Sequence, residues 1–144
     1  MRSFIQIAKP GTLGSIDFII LMCKLENKWL FVKKIDENGQ SYLELPECPT
    51  RSDAVTAAED AATMLVFRLM HRFEFEIMPI FDCESELDGK THYGRVFLMC
   101  ADSRPDELEA DFYAADEIVT LVKDYDKMLN LLESAAVLAG LYFK

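Results

Sequence analysis

Residues 52–70 constrain the fold more than any other stretch. Val55, Ala58, Ala62, Val66 and Leu69 recur at steps of three and four, which puts them on one side of an α-helix. Ser52 or Asp53 can start that helix, because either side chain offers an oxygen to an orphan backbone N–H. The apolar side is mostly alanine in its first half, so the helix can approach its support closely. Within its turns the helix has two acids, Glu59 and Asp60. The pattern predicts a helix lying on a sheet, and the reading of those two acids decides the function.

The sheet is written on either side of it. Ile16 to Cys23 is an apolar run broken only by Asp17, the pattern of a strand buried on both faces. Trp29–Val32 follows as a second strand, and Asn38-Gly39 predicts a tight hairpin turn with positive φ at both central positions. Tyr42–Leu45 is a short strand closed by Pro46, and residues 47–52 lead into the helix. Residues 3–7 form a short strand ended by Lys9-Pro10-Gly11. After the helix, Phe75–Phe81 is a strand that Pro79 makes an edge or a bulge. Asp88-Gly89 turns it back through His92–Cys100. The acidic stretch 102–111 is loop, Ala115–Val122 a short helix, and Asp126–Leu141 a last helix with Met128, Leu131, Leu132, Ala135 and Leu138 on one side. Helices on both faces of a mixed sheet would cover its apolar strands, giving an α/β sandwich.

The 144 residues suit one domain with a single core. A net charge of −10 argues against a nucleic-acid surface, which needs clustered Lys and Arg, and no nucleic-acid partner is expected. The longest apolar run is far short of the roughly 20 residues that span a bilayer, and the N-terminus lacks the pattern of a secretion signal. No membrane association and a cytoplasmic location are therefore expected. Cys23, Cys48, Cys83 and Cys100 are widely spread, without a C-x-x-C or a histidine cluster, so neither a disulfide framework nor a zinc site is expected. Cys23 and Cys100 sit in apolar runs and are expected as buried thiols.

Several segments, in this order, resemble the Nudix (MutT-like) hydrolase superfamily. Ile16–Cys23 with Trp29–Lys34 resembles the opening strand pair, and Leu43-Glu44-Leu45-Pro46 resembles the W-E-L-P strand that runs into the Nudix box. Phe75–Asp82 with His92–Ala101 resembles the hairpin after the box helix. Phe112-Tyr113 and Asp116-Glu117-Ile118 resemble the W-F and D-E-L segment near the C-terminus. The resemblance implies a Nudix-type α/β/α sandwich with a central mixed sheet, as one domain from residue 1 to 144. It also implies an ancestry among pyrophosphohydrolases of nucleotides and nucleoside diphosphates. There, glutamates of the box helix hold Mg²⁺ or Mn²⁺, which bridge the diphosphate and activate water.

The box itself, G-x5-E-x7-R-E-U-x-E-E-x-G-U with U aliphatic, is degenerate here. Glu59 falls at the arginine, Asp60 at the first glutamate, Thr63 and Met64 at the E-E pair, and Val66 at the glycine. One carboxylate of three remains, shortened to Asp, and a thioether and a hydroxyl are poor ligands for a hard cation. Glu59 and Asp60 are thus the candidate metal and catalytic residues, set against a reading as solvated helix acids. Replacement ligands are sought among Asp82, Glu84, Glu86 and Asp88 and among Asp106, Glu107, Glu109 and Asp111. Glu44 and Tyr93 are candidate substrate contacts. Glu44 points away from the side of Leu43 and Leu45, and His92-Tyr93 opens a strand. His71 and His92 have no serine or cysteine in a nucleophile elbow, and no Gly-rich phosphate loop is present.

Three functions follow. The first is an impaired Nudix domain that binds at most a nucleotide or a phosphorylated small molecule. The second is an active enzyme in which Mg²⁺ or Mn²⁺ is held by Asp60, Glu59 and a loop acid. The third is a homodimeric protein-interaction domain without a ligand. Convergent acids in a cleft favour the second, and a cleft plugged by Met64 and its neighbours favours the third.

Overall fold

The structure is a computed structural model that describes residues 3–13, 15–50, 55–71, 75–103 and 109–143. Two helices, α1 (Val55–Met70) and α2 (Tyr125–Tyr142), cover opposite faces of a mixed eight-stranded sheet. The strands are β1 (Ser3–Ala8), β2 (Phe18–Leu25), β3 (Lys28–Ile35), β4 (Ser41–Glu44), β5 (Glu47–Pro49), β6 (Met78–Leu87), β7 (Lys90–Cys100) and β8 (Ala110–Tyr113). The main order is β1-β6-β7-β2-β3-β4, with β5 on β2 and β8 on β3.

The apolar run becomes the central strand for the reason its sequence gives. Successive side chains point to opposite faces, so Phe18, Ile20 and Met22 enter the core under α2 while Ile19, Leu21 and Cys23 enter the core under α1. Along one side β2 pairs in parallel with β7 from Phe18↔Gly94 to Lys24↔Cys100. On its other side β2 pairs with β3 only at Lys24↔Trp29 and Leu25↔Lys28, beside their hairpin. The two strands then splay, and the segment from β4 to β5 wedges between them. β4 pairs with β3, and β5 pairs with β2. Pro46 makes the crossing: it has no N–H to give the ladder, and its carbonyl accepts from the Leu21 amide at 2.9 Å.

The two turns differ. Asp88 and Gly89 both take positive φ (54° and 77°) and join Leu87 to Lys90 as a two-residue hairpin, the geometry that matches strand twist. At Asn38-Gly39 only Gly39 has positive φ (80°), which corrects the expectation of two. The Asp36 carboxylate accepts from the Asn38 and Gln40 amides, both at 2.9 Å. The loop is a three-residue one, a turn closed by the Gly39 amide on the Asp36 carbonyl and followed by a left-handed glycine.

Other expectations are corrected in detail. β5 and β8 arise in stretches read as connections. The short helix at 115–122 contracts to a 3-10 turn, Ala115–Glu117. Cys100 is exposed, since it lies at the last rung of β7, whereas Cys23 and Cys83 are buried. In α2 the buried residues are Met128, Leu131, Leu132, Ala135 and Ala139, with Leu138 only half-buried. Pro79 lies at a bulge in the β6–β7 ladder, before the β1 pairing begins at Asp82. The cap expected at Ser52 or Asp53 and the side chain of Val55 lie outside the described residues. No helix among the described residues is long and apolar enough to cross a membrane.

Candidate functional site

The helix period divides α1 into two arcs. Ala58, Ala61, Ala62, Leu65, Val66 and Leu69 are buried against the sheet, while Glu59, Asp60, Thr63, Met64, Phe67 and Arg68 face outward. The alanines let the helix lie close, and Glu59, Asp60, Thr63 and Met64, which the resemblance aligns with the box arginine and glutamates, fall on the outer arc, whereas Val66 is buried. Met64 there is 66% exposed and Phe67 40%, an apolar centre on a face that metal chemistry would fill with carboxylates.

Among the described residues, two hollows flank this arc. One, of about 470 Å³, is lined by Cys48, Met64, Leu65, Phe67, Arg68 and His71. Its wall is fixed where the Cys48 thiol donates to the Ala61 carbonyl at 3.7 Å, and the Phe67 and His71 rings lie 6.1 Å apart. The other, of about 520 Å³, runs from Thr63 past Phe75 and Glu76 to Tyr142 and Phe143. Neither is lined by Glu59, Asp60, Glu44 or Tyr93.

The described donors on the outer arc of α1 do not by themselves fit a divalent cation. Mg²⁺ asks for about six oxygens in near-octahedral order, and Asp60 has Thr63 and Met64 one turn on. No group of three or more His, Cys, Asp or Glu side chains among the described residues converges on a point that could hold a metal.

The remaining candidates lie apart from one another. Glu44, on the same sheet face as Val32 and opposite Leu43, pairs with Lys34 at 3.2 Å. Burial, and next the charge of Glu44, push the neighbouring Tyr42 phenol up from its ordinary value. Tyr93 is half-buried on β7; its amide donates to Asp17 Oδ2 at 3.0 Å, and its carbonyl accepts from the Asp17 amide at 2.7 Å. β2 and β3 separate these two strands. Among the loop acids, Asp82 is fully buried and committed: its carboxylate accepts from Arg95 Nε at 2.8 Å, Arg95 Nη2 at 3.3 Å and the Gly11 amide at 2.7 Å. That removes Asp82 from the possible replacement ligands. Asp106 and Glu107 lie outside the described residues.

Sequence reasoning missed Arg95, yet a signal was there. The two-residue turn at Asp88-Gly89 pairs Leu87 with Lys90, and counting back along both strands brings Asp82 opposite Arg95. A lone arginine opening an apolar run needs such a partner.

The sequence matches no protein-family model and no curated protein. The fold does match solved structures. A Bacillus subtilis pyrophosphohydrolase, BsRppH, superposes with a TM-score of 0.64 at 13% identity, covering 100% of this chain and 92% of that one. A Caenorhabditis elegans (C. elegans) Ap4A hydrolase gives 0.62 at 14% identity, covering 87% of this chain and 98% of the other. A NUDIX hydrolase from Nitrosomonas europaea gives 0.55 at 13% identity, over 86% and 90%. With the wedge of β4 and β5 between splayed strands and one helix on each face, this chain has the Nudix fold.

Proposed function

We propose that the chain is a divergent, Nudix-type domain related to the nucleotide pyrophosphohydrolases, in which metal-dependent hydrolysis is impaired and binding of a nucleotide or phosphorylated small molecule is the most that remains. One observation carries this reading: Thr63 and Met64 occupy the outer arc of α1 where the resemblance calls for a pair of glutamates. A hard dication draws its affinity from clustered carboxylates, and Asp60 with Glu59 beside it supplies too few.

The test is turnover and metal binding together. With Mg²⁺ or Mn²⁺, the protein is expected to leave Ap4A, ADP-ribose and nucleoside triphosphates intact, and calorimetry is expected to detect no metal site at millimolar cation. Thr63→Glu with Met64→Glu is expected to create measurable metal affinity. Hydrolysis that requires the metal and is abolished by Asp60→Ala would establish the active-enzyme reading instead. Hydrolysis that survives Asp60→Ala but is lost on replacing Glu84, Glu86, Asp106 or Glu107 would show that the ligands have moved to loops.

A further inference from the structure

The outer arc of α1 carries charges of both signs that its own helix cannot pair. Asp60 and Arg68 are eight residues apart, about 12 Å along the axis at 1.5 Å per residue, beyond side-chain contact on one helix. Both are exposed, and neither has an ion-pair partner among the described residues. Between them, one turn from each, stands Met64, 66% exposed, with Phe67 beside it. Asp60, Met64, Phe67 and His71 follow one another at steps of four, three and four, the spacing of a helix–helix seam.

An acid at one end, a base at the other and an apolar centre midway form a self-complementary face. If a second copy of α1 lies antiparallel across a two-fold axis at Met64, Asp60 of each copy meets Arg68 of the other. Such isologous pairing is the commonest way soluble chains associate. We infer that the outer arc of α1 is the interface of a homodimer, with Met64 on the two-fold axis and reciprocal Asp60–Arg68 ion pairs on either side. Self-pairing also resolves an electrostatic difficulty. Two copies of net charge −10 repel at long range, and this arc brings together opposite charges locally. The stripe is short, about 18 Å at 1.5 Å per residue. It buries less than the roughly 800 Å² per partner of a standard stable complex, so association depends on concentration.

The inference rests on the reading of α1's outer arc as released from metal binding. Its test reads mass, not turnover, so hydrolysis and dimerisation succeed or fail separately. Sedimentation velocity up to millimolar protein is expected to show a monomer–dimer equilibrium. Asp60→Arg alone and Arg68→Asp alone, each placing like charges across the axis, are expected to weaken it about tenfold or more. The two changes combined are expected to restore it to within about threefold of the parent chain. All three substituted sites, Asp60, Met64 and Arg68, are on the exposed arc, and thermal melts check that the fold is kept. Met64→Cys provides a second reading: facing helices about 8–10 Å apart bring Cα atoms on the axis within disulfide range. Oxidation is expected to give a covalent dimer well above that formed by the native cysteines. The proposal is overturned if the protein is monomeric throughout, if the double charge exchange fails to recover what the single changes lose, or if Met64→Cys cross-links no better than the parent. It is also overturned if AMP perturbs the NMR signals of Phe67 and Arg68 in a protein that stays monomeric, which would give the hollow to a small anion.

Discussion

A single added methyl group would be felt most sharply at Gly94. A Cβ built there would lie 2.4–2.7 Å from three atoms of the Phe18 ring, because Gly94 is the parallel-ladder partner of Phe18 and the ring lies over its backbone. The glycine is weak in a strand by itself, and the aromatic ring covers what it leaves bare. Gly94→Ala is expected to cost about 1–3 kcal/mol in urea unfolding, with part recovered when Phe18→Leu is added; strictly additive losses would disprove the contact. Cys23 makes a second prediction at this scale. Burial, helped by nearby Cys100, pushes its thiol from 9.0 up to about 12. Between these values the unfolded chain ionises and the folded one does not, so the unfolded state binds fewer protons and stability falls as pH rises. Denaturation midpoints are expected to drop more steeply from pH 9 to 12 in the parent than in Cys23→Ala. At this scale the sequence was partly legible. Asp60, Thr63 and Met64 could be placed on one side of the helix from periodicity, whereas the commitment of Asp82 to Arg95 required a register count across the hairpin.

Among the elements, long periodic ones announce themselves and short ones do not. α1 and α2 repeat their apolar positions over several turns, so local pattern and tertiary burial agree. β5 has three residues and β8 four; they are strands because β2 and β3 offer unpaired backbone groups to them, which no local window contains. The short helix expected at 115–122 had apolar residues at helical spacing, but Leu121 uses its carbonyl to accept from the Leu43 amide at 2.8 Å. Beyond Glu117 the chain makes one isolated turn, the Leu121 and Val122 amides donating to the Ile118 carbonyl, and covers the β4 edge in place of continuing a helix. The last helix buries Met128, Leu131, Leu132 and Ala135 as its spacing predicts; at its end Ala139 is buried and Leu138 packs against the core half-buried. Leu131, 6% exposed and packed under the sheet, is expected to cost about 2–5 kcal/mol on replacement by alanine. Val137, 66% exposed on the outer side, is expected to change stability by less than about 0.5 kcal/mol when likewise replaced. Equal effects at the two positions would mean that α2 is rotated from the orientation described.

For the whole molecule, the architecture was legible because a run apolar on both faces can only be central, and helices on either side of it were written in the sequence. The outer arc of α1 was legible only as a set of side chains; where they lie relative to the flanking hollows depends on packing that local pattern does not encode. The parallel pairing of β2 with β7 also has a consequence for the order in which the protein can be made. The hydrogen bonds from the Asp17 amide to the Tyr93 carbonyl and from the Tyr93 amide to the Asp17 carboxylate span 76 residues. At about 5–20 residues per second, synthesis of that interval takes roughly 4–15 s. Throughout that time the newborn chain carries a strand that is apolar on both sides with one edge unsatisfied, a template for pairing with other chains. A chain stopped at residue 89 is therefore expected to collect in the insoluble fraction on expression while the full chain stays in solution, and a soluble, folded fragment of that length would refute it. Birth, not maturity, is the vulnerable stage of this molecule.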